Sequence, residues 1–243
     1  MRLLPLLLVT ALVAVVGAGC QGQMFARGTF VAEAPTPVIR ADVNVQISFF
    51  GIPLAGAQDV VFVLDRSGSM RGLAAGFAGD DVGMNKAAST IVGIGTQLAG
   101  SGHHSKMEAA KNELVHTLQM LPDGTRFMII FFDDELAAFA PTMLTLDPNT
   151  RTAAINFVRG IKPGGSTAAV PALRLAYKAG AARVILLSDG LANTGGGAND
   201  LLAEARERMQ YGVRFDTVGL GIDQDSALLN TLSAESGGLA IKR

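Results

Sequence analysis

The sequence predicts an α/β fold: a doubly wound, mostly parallel sheet with helices on both faces and one antiparallel hairpin strand. Three observations lead there. The apolar runs 60–64, 127–132 and 183–188 lack polar alternation, as expected of strands covered on both faces. Segments with helical spacing of apolar residues lie between them. Strands alternating with helices imply a parallel sheet with crossover connections.

The elements follow in order. Residues 1–19 read as an export signal: Arg2 supplies a positive start, residues 3–18 are mostly apolar, and small residues precede Cys20. This apolar stretch is short for a bilayer span, which needs about 20 residues. Residues 20–41, with Pro35 and Pro37, read as a tether. Residues 42–58 hold an extra strand over 42–50, where Val43, Val45, Ile47 and Phe49 alternate with polar positions, and a break over 51–57. The main domain is expected over 59–243. Ser105 and Glu108 form a capping-box pattern ahead of a helix whose inner face is Met107, Ala110, Leu114, Leu118 and Leu121.

Only Asp133, Asp134 and Glu135 separate the run 127–132 from 136–140, so these two are expected to pair as an antiparallel hairpin. Asp147 and Pro148 open a further helix as cap and first residue. Helices are expected over 169–179, 201–210 and 225–235, the last stopped by Gly237 and Gly238. Strands are expected over 183–188, 215–220 and 239–241.

Composition narrows the function. The 243 residues carry a net charge of -1, with 49% hydrophobic, 17% charged and 6% aromatic residues and no Trp. Mean hydropathy is +0.35. No basic run or stacking platform is present, so nucleic acid is not an expected partner. A single cysteine, Cys20, excludes an intramolecular disulfide. No Ser-His-Asp set and no phosphate-cradling Gly loop beside Lys is visible, and the Gly195–Gly197 run lacks the Lys that such a loop needs. The chain is therefore expected to be a non-enzyme with no catalytic residue.

The chemistry concentrates at two strand ends. The run 60–64 leads into Asp65, and 183–188 leads into Asp189. Parallel strands place both carboxylates at one carboxyl edge of the sheet, where open α/β folds bind ligands. Asp65 is followed by Ser67 and Ser69 in a tight loop, and Gly164-Gly165-Ser166-Thr167 offers a third hydroxyl. All are hard oxygen donors, suited to Mg²⁺, Ca²⁺ or Mn²⁺. Caps and turns use the same residue types, but they do not require two buried strands to converge on paired acids.

These residues carry a resemblance. Asp65-Arg66-Ser67-Gly68-Ser69-Met70, then Thr167, then Ser188-Asp189-Gly190 resemble, in order, the metal-ion-dependent adhesion site (MIDAS) of von Willebrand factor A (vWA) domains. The resemblance spans about 59–243, including Met107-Glu108-Ala109-Ala110-Lys111 and Leu121-Pro122-Asp123-Gly124. It implies a Rossmann-like vWA fold and a divalent cation, magnesium first, held by Asp65, Ser67, Ser69, Thr167 and Asp189. The hydroxyls would coordinate directly and the acids directly or through water.

The implied function is a metal-dependent protein-binding module at the cell envelope that takes an acidic group of a protein or peptide partner. The alternative is an accessory or assembly subunit of a membrane-associated complex with an ATPase partner. Gly19-Cys20 resembles the end of a bacterial lipoprotein signal, with Gly17 where that family usually has an aliphatic residue. It implies lipidation of Cys20 and a membrane anchor; without lipidation, cleavage after Ala18 would give a secreted protein.

The chain departs from the vWA pattern at 73–104, an insertion of Gly-rich sequence leaving from the metal edge. It reads either as a lid over the ion or as a loop that touches no ligand, with a helix expected over 84–98. The family also normally adds a helix after the last strand, which would leave the edge strand here partly uncovered. Asp80, Asp81, Asp133, Asp134 and Glu135 are expected to be solvated loop acids, His103 and His104 loop residues, and Asp223 and Asp225 helix-capping acids. The nine Met are scattered through the chain like core filler.

Overall fold

A computed structural model describes residues 46–57, 59–74, 105–190, 196–222 and 224–243. The expectations placed on 1–45, on most of the insertion with Asp80, Asp81, His103, His104 and the helix over 84–98, and on Asp223 lie outside the described residues.

The sheet forms as its apolar runs predict. Strands β3 (Val60–Asp65), β4 (Arg126–Phe132), β7 (Arg183–Ser188) and β8 (Arg214–Gly219) are its centre, with β5 (Leu136–Ala138) and β9 (Ala240–Lys242) at the ends of the order β5-β4-β3-β7-β8-β9. β3 pairs in parallel with both β4 and β7, and β7 with β8 and β8 with β9 are also parallel. β5 runs antiparallel to β4, as the short acidic connection requires. A two-residue strand that the sequence did not signal, β6 (Leu144–Thr145), pairs with the start of β4.

Alternation along the strands divides the core between the two faces. Phe62, Leu64, Phe127, Ile129, Phe131, Ile185 and Leu187 pack on one side with helices α1 (Lys106–Met120) and α2 (Pro148–Gly160). Val61, Val63, Met128, Ile130, Phe132, Val184 and Leu186 pack on the other with α3 (Ala169–Lys178), α4 (Ala198–Met209) and α5 (Ser226–Ser236). β3 and β7 are buried along their length, and the acids Asp65 and Asp189 come at their carboxyl ends.

The helix boundaries have local causes. Ser105 Oγ accepts the Glu108 amide at 3.2 Å. The reciprocal half expected of a capping box is replaced, because the Glu108 carboxylate takes Lys111 Nζ at 3.0 Å. Met107, Ala110, Leu114, Leu118 and Leu121 are all buried, as the spacing predicts. Asp147 accepts the Thr150 amide and Asp225 the Leu228 amide, so both act as caps. α4 begins at Ala198, three residues before the expected start, since Asp200 Oδ2 takes the Gly197 amide at 2.8 Å and closes an additional first turn.

The segment expected as one strand over 42–50 followed by a break is instead a hairpin in its described part. β1 (Ser48–Phe49) pairs antiparallel with β2 (Ile52–Pro53) around Phe50 and Gly51, both with positive φ. Such a turn matches the twist of a two-residue hairpin. Phe50 tolerates this backbone because its amide donates to Glu113 Oε1 at 2.7 Å and its carbonyl accepts from Arg243 at 3.0 Å. Phe49, Phe50, Ile52 and Leu54 are buried in the α1-side core.

Candidate metal centre

β3 and β7 are adjacent, and their chain connections leave in opposite directions along the sheet: β3 leads to β4 on one side and β7 to β8 on the other. This is a topological switch point, where the carboxyl ends of the strands open a crevice. Asp65 and Asp189 stand there, 0% and 1% exposed.

The loop after β3 folds around its own acid. Asp65 Oδ1 accepts the Ser67 amide at 2.7 Å, which turns the chain sharply. Gly68–Arg71 then forms one 3-10 turn, with Met70 buried as its anchor. The turn puts Ser69 Oγ 2.9 Å from Ser67 Oγ, and Ser69 donates to Asp189 Oδ1 at 2.8 Å. Asp65 Oδ2 accepts the Ser188 hydroxyl at 2.9 Å. A continuous series of hydrogen bonds thus runs from Asp65 through the Ser67 amide, and from the Ser67 hydroxyl through Ser69 to Asp189.

Thr167 reaches the same edge on a second loop. Gly164 donates its amide to the Arg66 carbonyl at 2.8 Å, and Gly68 donates to the Gly165 carbonyl at 3.0 Å, lacing this loop to the first. Gly165 has φ +63, and a Cβ there would meet Asp134 Oδ2 at 2.8 Å and Asp133 Cβ at 3.0 Å. Only glycine gives both the conformation and the clearance. Thr167 itself is 4% exposed, and the next amide, Ala168, donates to the Asp133 carbonyl.

Asp133 is not the solvated acid expected from its hairpin position, whereas Asp134 and Glu135 are exposed as expected. Asp133 is buried, pairs with Arg66 at 2.9 Å and takes the Glu135 amide at 2.8 Å. Asp134 accepts the Ser166 amide at 2.9 Å. Both serve as struts for the Gly164–Thr167 loop. Burying an acid at a hairpin requires a partner, and Arg66 supplies it from a loop 67 residues earlier.

The most consequential residue that sequence reasoning passed over is Lys106. It is the first residue of α1, yet it is buried and donates from Nζ to Asp189 Oδ2 at 2.9 Å. Its signal in the sequence was faint: a lysine in a helix first turn runs against the macrodipole.

Electrostatics mark the cluster. Burial pushes the Asp65 carboxyl up to about 6, and the like charge of Asp189 adds to the rise. Hydrogen bonds from Ser67 and Ser188 oppose it. The donor set comprises two buried acids and three hydroxyl side chains, all hard oxygens, and fits a hard divalent cation in place of the mutual hydrogen bonds. These contacts bring Asp65, Ser67, Ser69 and Asp189 together, and Thr167, buried on the adjoining loop, is the fifth hard-oxygen candidate to hold it. Among the described residues no group of three or more His, Cys, Asp or Glu gathers as an alternative site.

Residues 98–241 match the family model described as von Willebrand factor type A domain. The matched stretch contains Thr167 and Asp189 and begins downstream of Asp65, Ser67 and Ser69, which join it through the pairing of β3 with β4 and β7. A search of curated proteins found no match.

Among solved structures, the chain is similar to a von Willebrand factor type A protein from Catenulispora acidiphila, with TM-score 0.55 and 20% identity, covering 77% of this chain and 39% of that one. It therefore spans well under half of that protein. It is also similar to the conserved hypothetical protein BatB from Bacteroides thetaiotaomicron, with TM-score 0.54 and 16% identity over 77% of this chain and 90% of that one. An aerotolerance-related membrane protein from Bacteroides fragilis gives TM-score 0.52 and 18% identity over 77% and 92%. At these identities the likeness is one of fold.

Proposed function

Because this chain belongs to the von Willebrand factor type A domain family, we propose that it is a protein-binding module that grips an acidic group of its partner through a divalent cation. The observation that supports this is the hydrogen-bonded series at the switch point, in which Asp65 accepts the Ser67 amide, Ser67 Oγ meets Ser69 Oγ, and Ser69 donates to Asp189. Asp65, Ser67, Ser69, Thr167 and Asp189 would hold the ion. A bound divalent cation supplies an electrophilic centre that accepts an outside carboxylate as a further ligand.

The protein's own residues do the rest. The two acids offset the ionic charge, less the part of Asp189 taken up by Lys106, while the neutral hydroxyls leave the centre short of electron density. Ser69, the exposed member, stands at the mouth. Arg66, Asp133 and Asp134 keep the two loops in register.

The site of action is proposed as the cell envelope. The apolar leader ahead of Cys20 supports export and lipid anchoring, and the Bacteroides fragilis neighbour is itself a membrane protein. Among the described residues no helix is long and apolar enough to cross a membrane. A second reading is an accessory subunit of a membrane-associated complex that uses the same site for assembly, in keeping with the membrane-protein neighbour from Bacteroides fragilis.

Calorimetric titration with Mg²⁺, Ca²⁺ and Mn²⁺ tests the metal site. Wild type should bind at least one of them and Asp65→Ala none; equal, negligible heats at millimolar metal refute the site. Partner capture with and without EDTA then tests the binding function.

A further inference from the structure

The oxygen cluster already contains a cation of its own. Lys106 Nζ lies 2.9 Å from Asp189 Oδ2, with the lysine side chain 9% and the aspartate side chain 0% exposed. Burying an ammonium and placing it at a helix N-terminus are both unfavourable, so the arrangement persists only because a buried carboxylate meets it.

The surroundings are shaped for the lysine arm. The Lys106 amide donates to the Gly72 carbonyl at 2.9 Å, fixing the start of α1 against the loop that carries Ser67 and Ser69. On the other side stands Gly221, with φ +83, where a Cβ would come within 2.8 Å of Lys106 Cε and 3.0 Å of Nζ. The Gly221 amide is held by the Arg243 carbonyl at 2.7 Å. The arm therefore threads between two backbone segments to one oxygen of Asp189, while Ser69 takes the other.

We infer that Lys106 is a built-in counter-cation of the metal centre, which competes with the divalent ion for Asp189 and sets how tightly the metal is held. The inference rests on the metal-binding reading above. With Asp65 and Asp189 ionised, Lys106 leaves the cluster one negative charge instead of two. A divalent ion then produces a net positive centre, which holds metal more weakly and favours an anionic partner more strongly. A neutral side chain at position 106 removes the competitor and restores full neutralisation by the metal.

The test is Mn²⁺ binding, followed by the loss of the free-ion electron paramagnetic resonance signal, on the 243-residue chain in detergent. Wild type is compared with Lys106→Met and Lys106→Gln. The Gln variant keeps a donor for Asp189 without the charge and remains informative if the Met variant does not fold. The inference expects Mn²⁺ Kd to fall at least tenfold on neutralisation. A lysine that merely braces the loops would give the opposite sign, since its loss would loosen the site and weaken binding. Equal or weaker affinity in the folded variants overturns the inference and leaves the metal site standing. Absence of Mn²⁺ binding by wild type and variants alike at millimolar metal overturns both.

Discussion

Asp65→Asn separates the cost of the site from its use. In the metal-free protein the Asp65 carboxyl is pushed up to about 6 from an ordinary 3.8, mainly by burial. That gap is roughly two decades, each worth about 1.4 kcal/mol, so the buried anion costs about 3 kcal/mol at neutral pH. The sign follows from linkage. The folded state holds its proton more tightly than the unfolded state, so stability is lost as pH rises from about 4 to about 6 and stays lower above that.

Asparagine reproduces the neutral form with little rearrangement. Its carbonyl accepts the Ser67 amide, as Oδ1 does now at 2.7 Å. Its NH₂ donates to Ser188 Oγ, whose hydroxyl turns to the Gly190 carbonyl, already 3.2 Å away. Urea unfolding at pH 7 in EDTA should show the variant more stable by about 3 kcal/mol. For a domain near 200 residues this raises Tm by roughly 6–12 °C. The decline between pH 4 and 6 should be smaller than in wild type, and Mg²⁺ should stabilise wild type but not the variant. A variant no more stable than wild type in EDTA, with an unchanged pH profile, refutes the reasoning.

Other perturbations probe the scaffold. Gly165→Ala forces a Cβ into Asp133 and Asp134 at a left-handed position and should cost roughly 2–4 kcal/mol in urea unfolding; a change below 0.5 kcal/mol contradicts the described clearance. Asp133→Ala leaves Arg66 without its partner and the Glu135 amide without its acceptor, for a loss of roughly 2–3 kcal/mol and weaker metal binding by calorimetry. Leu114→Ala in the α1-side core should cost roughly 3–5 kcal/mol without altering metal affinity in the folded fraction. Asp147 is held below its ordinary 3.8 by the Thr150 amide. Its cap contributes stability above that value which disappears as pH falls through the lowered one. The stability gap to Asp147→Ala should therefore be present at pH 7 and close below about pH 4.

Much of the fold was legible because burial leaves a local imprint. The runs 60–64 and 183–188 have no polar alternation, so both had to be interior strands, and in each the acid comes only where the run ends. That places Asp65 and Asp189 at one edge without any structure. Ser105, Asp147 and Asp225 announced helix starts for the same kind of reason, since a helix N-terminus needs an acceptor within its own first turn. The two-residue strands β1, β2 and β6 were beyond reach: periodicity cannot be read from two residues, and their pairing is fixed by partners elsewhere. Asp216 inside β8, held by Arg183 at 2.6 Å and Arg214 at 3.0 Å, is a buried acid that strand patterning alone does not explain.

What the sequence by itself determined is that Asp65, with Ser67 and Ser69 beside it, and Asp189 stand at one edge of the sheet, because this follows from chain-local burial and turn chemistry. Only the tertiary structure decided what surrounds them. Lys106 and Asp189 are 83 residues apart and Arg66 and Asp133 are 67 apart; no local pattern encodes either pairing. Each arises where separate loops converge on one crevice, and there a buried charge must find an opposite one or not be buried at all.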